Sequence, residues 1–232
     1  MKRKPIIILP VGATEAHGAH LPLATDSLQP EAIADMLAER IGGLVAPPIR
    51  YGQHSSTRNM PGTLSIEFDT LRDIIYDILH SLVRNGADKL VVLSGHAGAA
   101  HMAALKLACE RIVEESQVKL MLVADYELAR ESIPDEKEDG HGGLIETSRM
   151  LAVEEKMVKK ARKKGRFSDK RHMVVSDPET CYPDGFVGDA PRATAGLGRT
   201  INDHILDRLV SLVDSNFGVS EWTRRRGRHS KR

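Results

Sequence analysis

Glu15, His17, His20 and Asp26 fall within VGATEAHGAHLPLATDS, residues 11–27, directly after the apolar run Ile6-Ile7-Ile8-Leu9. In an extended segment alternate side chains point the same way, so Glu15 and His17 can face one point from one side of the chain. A carboxylate beside an imidazole is a candidate metal pair. Asp26 stands where this loop turns into a predicted helix, and it can swing its carboxylate toward the same point. Taken alone, Asp26 reads at least as well as an N-cap that accepts from a free helical N–H. His20 also reads as a loop histidine bonded to backbone.

His96 changes that weighing. It sits in Ser94-Gly95-His96-Ala97-Gly98, after the apolar run at residues 89–93. A strand there delivers His96 to the carboxyl edge of the sheet, the edge from which the first loop also leaves. Glu15, His17, Asp26 and His96 then share one rim. Such an oxygen and nitrogen set without cysteine suits zinc, manganese or ferrous iron, and one bridging aspartate can serve two ions. The small residues around His96 admit a rival reading as a phosphate cradle at a helix N-terminus. They lack the lysine and spacing of a P-loop and the full dinucleotide fingerprint. A third cluster, His141-Gly142-Gly143-Leu144-Ile145-Glu146-Thr147-Ser148, again sets an imidazole and an acid beside glycines that permit close approach of a ligand. The plain alternatives are an exposed loop histidine and a glutamate favoured at a helix start.

Positioning these groups requires alternating strands and helices. The periodicity predicts strands at residues 6–9, 44–49, 89–93 and 119–124. Helices are predicted from the end of the first loop to residue 41, with Pro30 in the first turn, and at 69–84, about 98–115, 144–157 and 201–213. Prolines 47 and 48 place the second strand at an edge or end it early. Residues 127–143 read as an acidic loop, 174–175 as a short strand, and 176–198 as a long Gly/Pro/Asp-rich loop of the kind that serves as a lid or binding segment. The basic run at 156–166 reads as an exposed helix end. The fold class is therefore α/β, a mostly parallel sheet with helices on both faces. One domain is expected over residues 1–218, with a basic, disordered tail at 219–232.

Composition sets further bounds. Of 232 residues, 41% are hydrophobic and the net charge is +1, so the chain carries a core and no bulk charge that recruits a partner. Two cysteines, Cys109 and Cys181, make no disulfide framework and fit a reducing cytoplasm. No apolar run approaches the roughly 18 residues of a membrane span, and four apolar residues after position 5 are too few for a signal-peptide core. Six Lys/Arg in residues 224–232 could touch nucleic acid, but a short terminal charge run is more often a solvated tail.

The clusters together resemble the creatininase family, the creatinine amidohydrolases. Its pattern G-x-x-E-x-H-G-x-H-L-P-x-x-T-D stands here from Gly12 to Asp26. Tyr51-Gly52-Gln53-His54-Ser55 with Pro61-Gly62-Thr63, Ser94-Gly95-His96, His141-Gly142-Gly143 with Glu146-Thr147-Ser148, and Gly185-Phe186-Val187-Gly188-Asp189-Ala190 follow in order. The resemblance implies a two-metal hydrolase, usually hexameric. Glu15, Asp26 and His96 would hold one ion, His17 and Asp26 the other, with Asp26 bridging. Creatininase completes its second ion with a glutamate two residues after the GH histidine. Gly98 stands at that position here, and Glu146 is the candidate replacement. His141 matches the family histidine that binds substrate and moves protons, and it is expected to be catalytic together with Glu146. Ser55 matches a substrate-contacting serine.

The expected activity is metal-dependent hydrolysis of a non-peptide C–N amide bond in a small cyclic amide or formamide by activated water. Creatinine itself is not expected, because Glu138-Asp139-Gly140 precedes His141 where creatininase has tryptophans. Deformylation of a flavin or deazaflavin precursor is the alternative, although that branch usually carries E-N-H-G and this chain has Glu15-Ala16-His17-Gly18. From another class, a non-catalytic nucleotide-binding or regulatory protein remains as a competitor. A homo-oligomer, no membrane partner and no nucleic-acid partner complete the expectation.

Overall fold

Ile7–Val11 (β1) sends alternate side chains into two apolar layers, and that alternation sets the architecture of the computed structural model, which describes residues 4–170 and 172–218. Ile8 packs on one side with Ile33 and Leu37, while Leu9 and Val11 pack on the other with Leu71, Ile75 and Leu79. The same division holds along Lys89–Ser94 (β3), where Val91 and Leu93 join the first layer and Leu90 and Val92 the second. A period of two in strands buried on both faces requires helices on both faces.

Those helices are Thr25–Ile41 (α1), Phe68–Arg84 (α2) and Ala99–Glu115 (α3), each crossing between parallel strands. With Leu44–Val45 (β2) and Lys119–Ala124 (β4), the sheet runs β2-β1-β3-β4, all parallel. α2 and α3 cover one face. The other is covered by α1, by Asp125–Glu131 (α4) and by the long Ala195–Phe217 (α6). Leu144–Val153 (α5) packs beside α6. The expected α/β class is what forms. Among the described residues no helix is long and apolar enough to cross a membrane.

Several boundaries differ from expectation. α1 begins at Thr25, so Pro30 lies in its second turn rather than its first, and with no N–H it donates nothing to the Asp26 carbonyl. The second strand stops at Val45, because Pro47 and Pro48 have no N–H to offer, and only an isolated Val11–Ile49 bridge resumes the pairing. The acidic segment starts as helix α4 rather than loop. α5 ends at Val153, so the basic run is not a helix end. It passes through a 3-10 turn at Glu155–Met157 into Lys164–Gly165 (β5), antiparallel to Gly188–Asp189 (β6). Residues 174–175 form no strand, and Val174 is fully exposed. The last helix starts at Ala195 because Thr194 Oγ1 accepts from Leu197 N–H at 3.1 Å. Gly198 within it lets α5 approach, since a Cβ there would run into the Ser148 carbonyl. The expected basic tail, 219–232, lies outside the described residues.

Candidate active site

β1 and β3 lie side by side with Val11 opposite Ser94, so the loops leaving them emerge together at the carboxyl edge. Gly95 then holds α1 against that edge. A Cβ on Gly95 would overlap the Asp26 carbonyl oxygen and lie 2.6 Å from Pro30 Cδ. Gly95→Ala should therefore push the first turn of α1 away from His96. We expect the variant to fold, to lose about 1–3 kcal/mol in chemical denaturation, and to bind divalent metal at least tenfold more weakly. Unchanged metal affinity would show that the contact does not position the site.

Asp26 divides its carboxylate between two imidazoles. Oδ1 is 2.9 Å from His17 Nε2, and Oδ2 is 2.9 Å from His96 Nδ1. Glu15 Oε2 stands 3.1 Å from the same His96 nitrogen, and Glu146 Oε2 stands 3.6 Å from His17 Nε2. All five groups are buried. Asp26 makes no capping bond, so the N-cap reading is replaced. The other ring nitrogen of His17, Nδ1, donates to the Glu15 carbonyl at 3.0 Å, which turns Nε2 inward. Gly142 N–H donates to Glu146 Oε2 at 2.5 Å and holds that carboxylate at the start of α5.

His141 is brought to the same place. Its ring lies 4.1 Å from that of His17, and its Nε2–H donates to the Ala16 carbonyl at 2.7 Å. The long loop sets this turn, because Val187 N–H donates to the His141 carbonyl at 2.7 Å. His20 takes the bland role foreseen for it: its Nε2 meets the Gly142 carbonyl at 3.1 Å and Thr147 Oγ1 at 3.0 Å. Ser55 is not brought in. It is exposed, with its hydroxyl directed at Gln53 Oε1 at 3.4 Å, and the chain turns so that Ser56 and Thr57 line the cavity instead.

Sequence reasoning missed Thr57, whose hydroxyl donates to Glu15 Oε1, as well as His54 and Tyr182. His54 stood inside a quoted motif, but nothing in its spacing gave its direction. The cavity is small, about 190 Å³, and Glu15, Thr57, His96, His141, Glu146 and Tyr182 are among its walls. His141 and Tyr182 also wall a wider neighbouring pocket of about 600 Å³, which carries Lys137, Lys164, Arg166 and Phe167.

These donors fit divalent ions. Glu15 Oε2 and His17 Nε2 are buried and face other ligand-type atoms, His96 Nδ1 at 3.1 Å and Asp26 Oδ1 at 2.9 Å. An ion bound at about 2.1 Å would separate adjacent donors by roughly 3.0–3.5 Å, close to the separations of 2.9, 3.1 and 3.6 Å seen here. Glu15–His17–His141 and His17–Asp26–Glu146 each form a group compact enough for one ion. A phosphate cradle at the Gly95–Gly98 turn fares worse, because Glu15 and Asp26 face His96 there and would repel an anion.

The charges respond to one another. Burial alone would raise Glu15, but the charges of His141 and His96 bring it down to about 2. Burial would lower His17, but Asp26 outweighs it and lifts the imidazole to about 10. Against the same opposition from burial, His96 is raised by Glu15 and Asp26, and Asp26 is lowered by His17. Burial does prevail at Glu146 and raises it. An unfolded imidazole titrates near 6.5, so stability from His17 and His96 is complete below about pH 6.5 and is lost as pH rises through their folded values. Stability from Glu15 and Asp26 is present above about pH 4 and is lost as pH falls through theirs. Metal-free protein should melt highest between about pH 4.5 and 6.5, and its Tm should decline toward pH 10. Bound metal should remove the alkaline decline. A Tm of metal-free protein that is flat from pH 6 to 10 would contradict this charge arrangement.

Known proteins share both sequence and fold. A profile of the creatininase family, described as creatinine amidohydrolase, matches residues 1–213. Creatinine amidohydrolase of Pseudomonas putida is 31% identical over 82% of this chain and 76% of its own length. The mycofactocin precursor peptide peptidase of Mycobacterium ulcerans (strain Agy99) is 30% identical over 94% of this chain and 86% of its own. A mutant creatininase complexed with creatine superposes with a TM-score of 0.80 at 27% identity, covering 92% of each chain. A solved structure named creatininase Mn gives 0.80 at 27% identity over 92% of this chain and 91% of its own. With its ordered motifs at one sheet edge, this chain belongs to the creatininase family.

Proposed function

We propose that the chain is a metal-dependent amidohydrolase, in which Glu15, Asp26 and His96 hold one divalent ion and His17, Asp26 and Glu146 hold the other. The observation that carries this reading is the division of Asp26, one oxygen to each imidazole at 2.9 Å. Zinc, manganese and iron suit such donors, and solved creatininases include a manganese form and a Zn-Zn form. When bound, ions of this kind make water nucleophilic near neutral pH and polarise a carbonyl.

The chain's own groups do the rest. His141 sits where the cavity meets the wider pocket, held by Ala16, and can deliver a proton to the departing nitrogen. An amide nitrogen leaves badly without one. Glu146 belongs both to the ligands and to the catalytic pair, since burial makes it the most readily protonated carboxylate of the site's three. His141→Gln should keep its metal and slow turnover about 10²- to 10⁴-fold. Parent-like turnover would release His141 from that task.

A cavity of about 190 Å³ suits a small cyclic amide or a formamide. In sequence, Glu138 and Asp139 precede His141 where creatininase has tryptophans, and Asp139 is engaged with the N–H groups of Leu144 and Ile145 at 2.5 and 3.1 Å. The wider, partly cationic pocket favours a second reading, deformylation of a larger precursor of flavin or deazaflavin type. Metal-reconstituted protein should be assayed against cyclic amides, formamides and, given the peptidase among its relatives, short peptides. Release of a new amine by wild type but not by His96→Ala is expected. No bound metal and no product from any class would sink the reading.

The reading also includes a cytoplasmic setting, supported by two free thiols, Cys109 and Cys181. Assembly into a homo-oligomer is supported by exposed Leu107, Val113 and Ile74 on the α2–α3 layer, apolar surface that a second copy would cover.

A further inference from the structure

His54 is a core histidine whose ring nitrogens the fold leaves unsatisfied among the described residues. The segment between β2 and α2 is pinned by Ser65, whose Oγ accepts from the His54 backbone N–H at 3.0 Å, and by a Gly52–Ser65 bridge. That anchoring drives the imidazole inward until it is only 1% exposed. Both of its ring nitrogens are buried and lack a hydrogen-bond partner among the described residues. Buried polar groups are ordinarily paired, so an imidazole with neither nitrogen satisfied calls for a partner of another kind.

Its surroundings indicate that partner. His54 Nε2 lies 3.9 Å from Glu15 Oε2, and His96 Nδ1 approaches the same buried oxygen at 3.1 Å. Glu15, His54 and His96 each offer a donor atom within 4.8 Å of the others. The rings of His54 and His96 are tilted by 49° with centroids 5.0 Å apart, converging on Glu15 rather than stacking. One ion bound at about 2.1 Å spans donors up to roughly 4.2 Å apart.

We infer that His54 is an additional protein donor to the ion held by Glu15, Asp26 and His96; the inference rests on the two-ion reading above. The two sites then differ in kind. The first has two imidazoles and two carboxylates, whereas the second has one imidazole, His17, with Asp26 and Glu146. A nitrogen-richer site favours zinc and cobalt, and the carboxylate-richer one is better suited to manganese.

The test titrates metal-free full-length protein with Co²⁺, followed by visible absorption, and counts imidazoles by X-ray absorption after one equivalent of Zn²⁺. Wild type should bind two Co²⁺, the first more tightly, and the zinc should report two imidazoles. His54→Ala should weaken the first site about tenfold or more, change its absorption band and drop the zinc count to one imidazole. Uptake at the second site should persist and shows that the variant folds; His54→Gln, closer in volume, repeats the measurement. One imidazole on zinc in wild type, or an unchanged first site in both variants, overturns the assignment of His54 while the two-ion reading stands. A wild-type protein that takes up no Co²⁺ overturns both.

Discussion

Asp26→Asn should leave a folded protein that carries less than one metal ion per chain and has lost at least about three orders of magnitude in turnover. The substitution keeps the shape of the side chain and removes one charge, so it isolates the bridging role from packing. Asp26 meets His17 with one oxygen and His96 with the other, and an amide can offer an oxygen to only one of them. Loss of several kcal/mol of charge stabilisation, at about 1.4 kcal/mol per tenfold, sets the magnitude. His17 would also lose the partner that lifts it to about 10, so its ring should titrate much lower. Elemental analysis, steady-state rates and the far-ultraviolet spectrum check the three parts. A variant that keeps two ions and a tenth of the parent rate would show that Asp26 does not bridge.

The rim of this site was legible before any coordinates because ligands placed at strand ends obey a simple rule. A parallel strand buried on both faces reads as an apolar run, its carboxyl end is where side chains leave the sheet, and two such runs precede Glu15 and His96. Glu146 was legible for a different reason, as an acid one helical turn beyond a glycine turn that also carries a histidine. What could not be read was direction. His54 and Ser55 are adjacent, yet one is buried beside Glu15 and the other is exposed, because the choice depends on the bond from His54 N–H to Ser65 eleven residues on. The length of α6 was hidden in the same way. Gly196 and Gly198 weaken a helical pattern locally, and only the packing of α5 against Gly198 explains why the helix tolerates them.

Arg149→Met should destabilise the protein by about 3–5 kcal/mol and weaken the second metal site with it. Arg149 is 1% exposed and lies one turn after Glu146 on α5. Its Nη2 donates to Asp125 Oδ2 at 2.6 Å and its Nε to Asn202 Oδ1 at 2.9 Å, so a single side chain ties α5 to α4 and α6. Asp125 is fully buried and its other oxygen has no hydrogen-bond partner among the described residues, so losing the guanidinium would strand a charge in the core. That uncompensated charge, more than the attraction lost, sets the size of the effect. Pairing Arg149→Met with Asp125→Leu should therefore recover most of the loss, because two apolar groups replace both members of the pair. Urea unfolding of the parent, the single and the double variant separates these terms. A single variant within about 1 kcal/mol of the parent would mean that the pair carries little. A double variant as weak as the single would mean that Arg149 acts through Asn202 and packing instead. Recovery of metal affinity in step with stability would show that Glu146 is positioned by the seating of α5 as a whole and not by the Gly142 N–H alone.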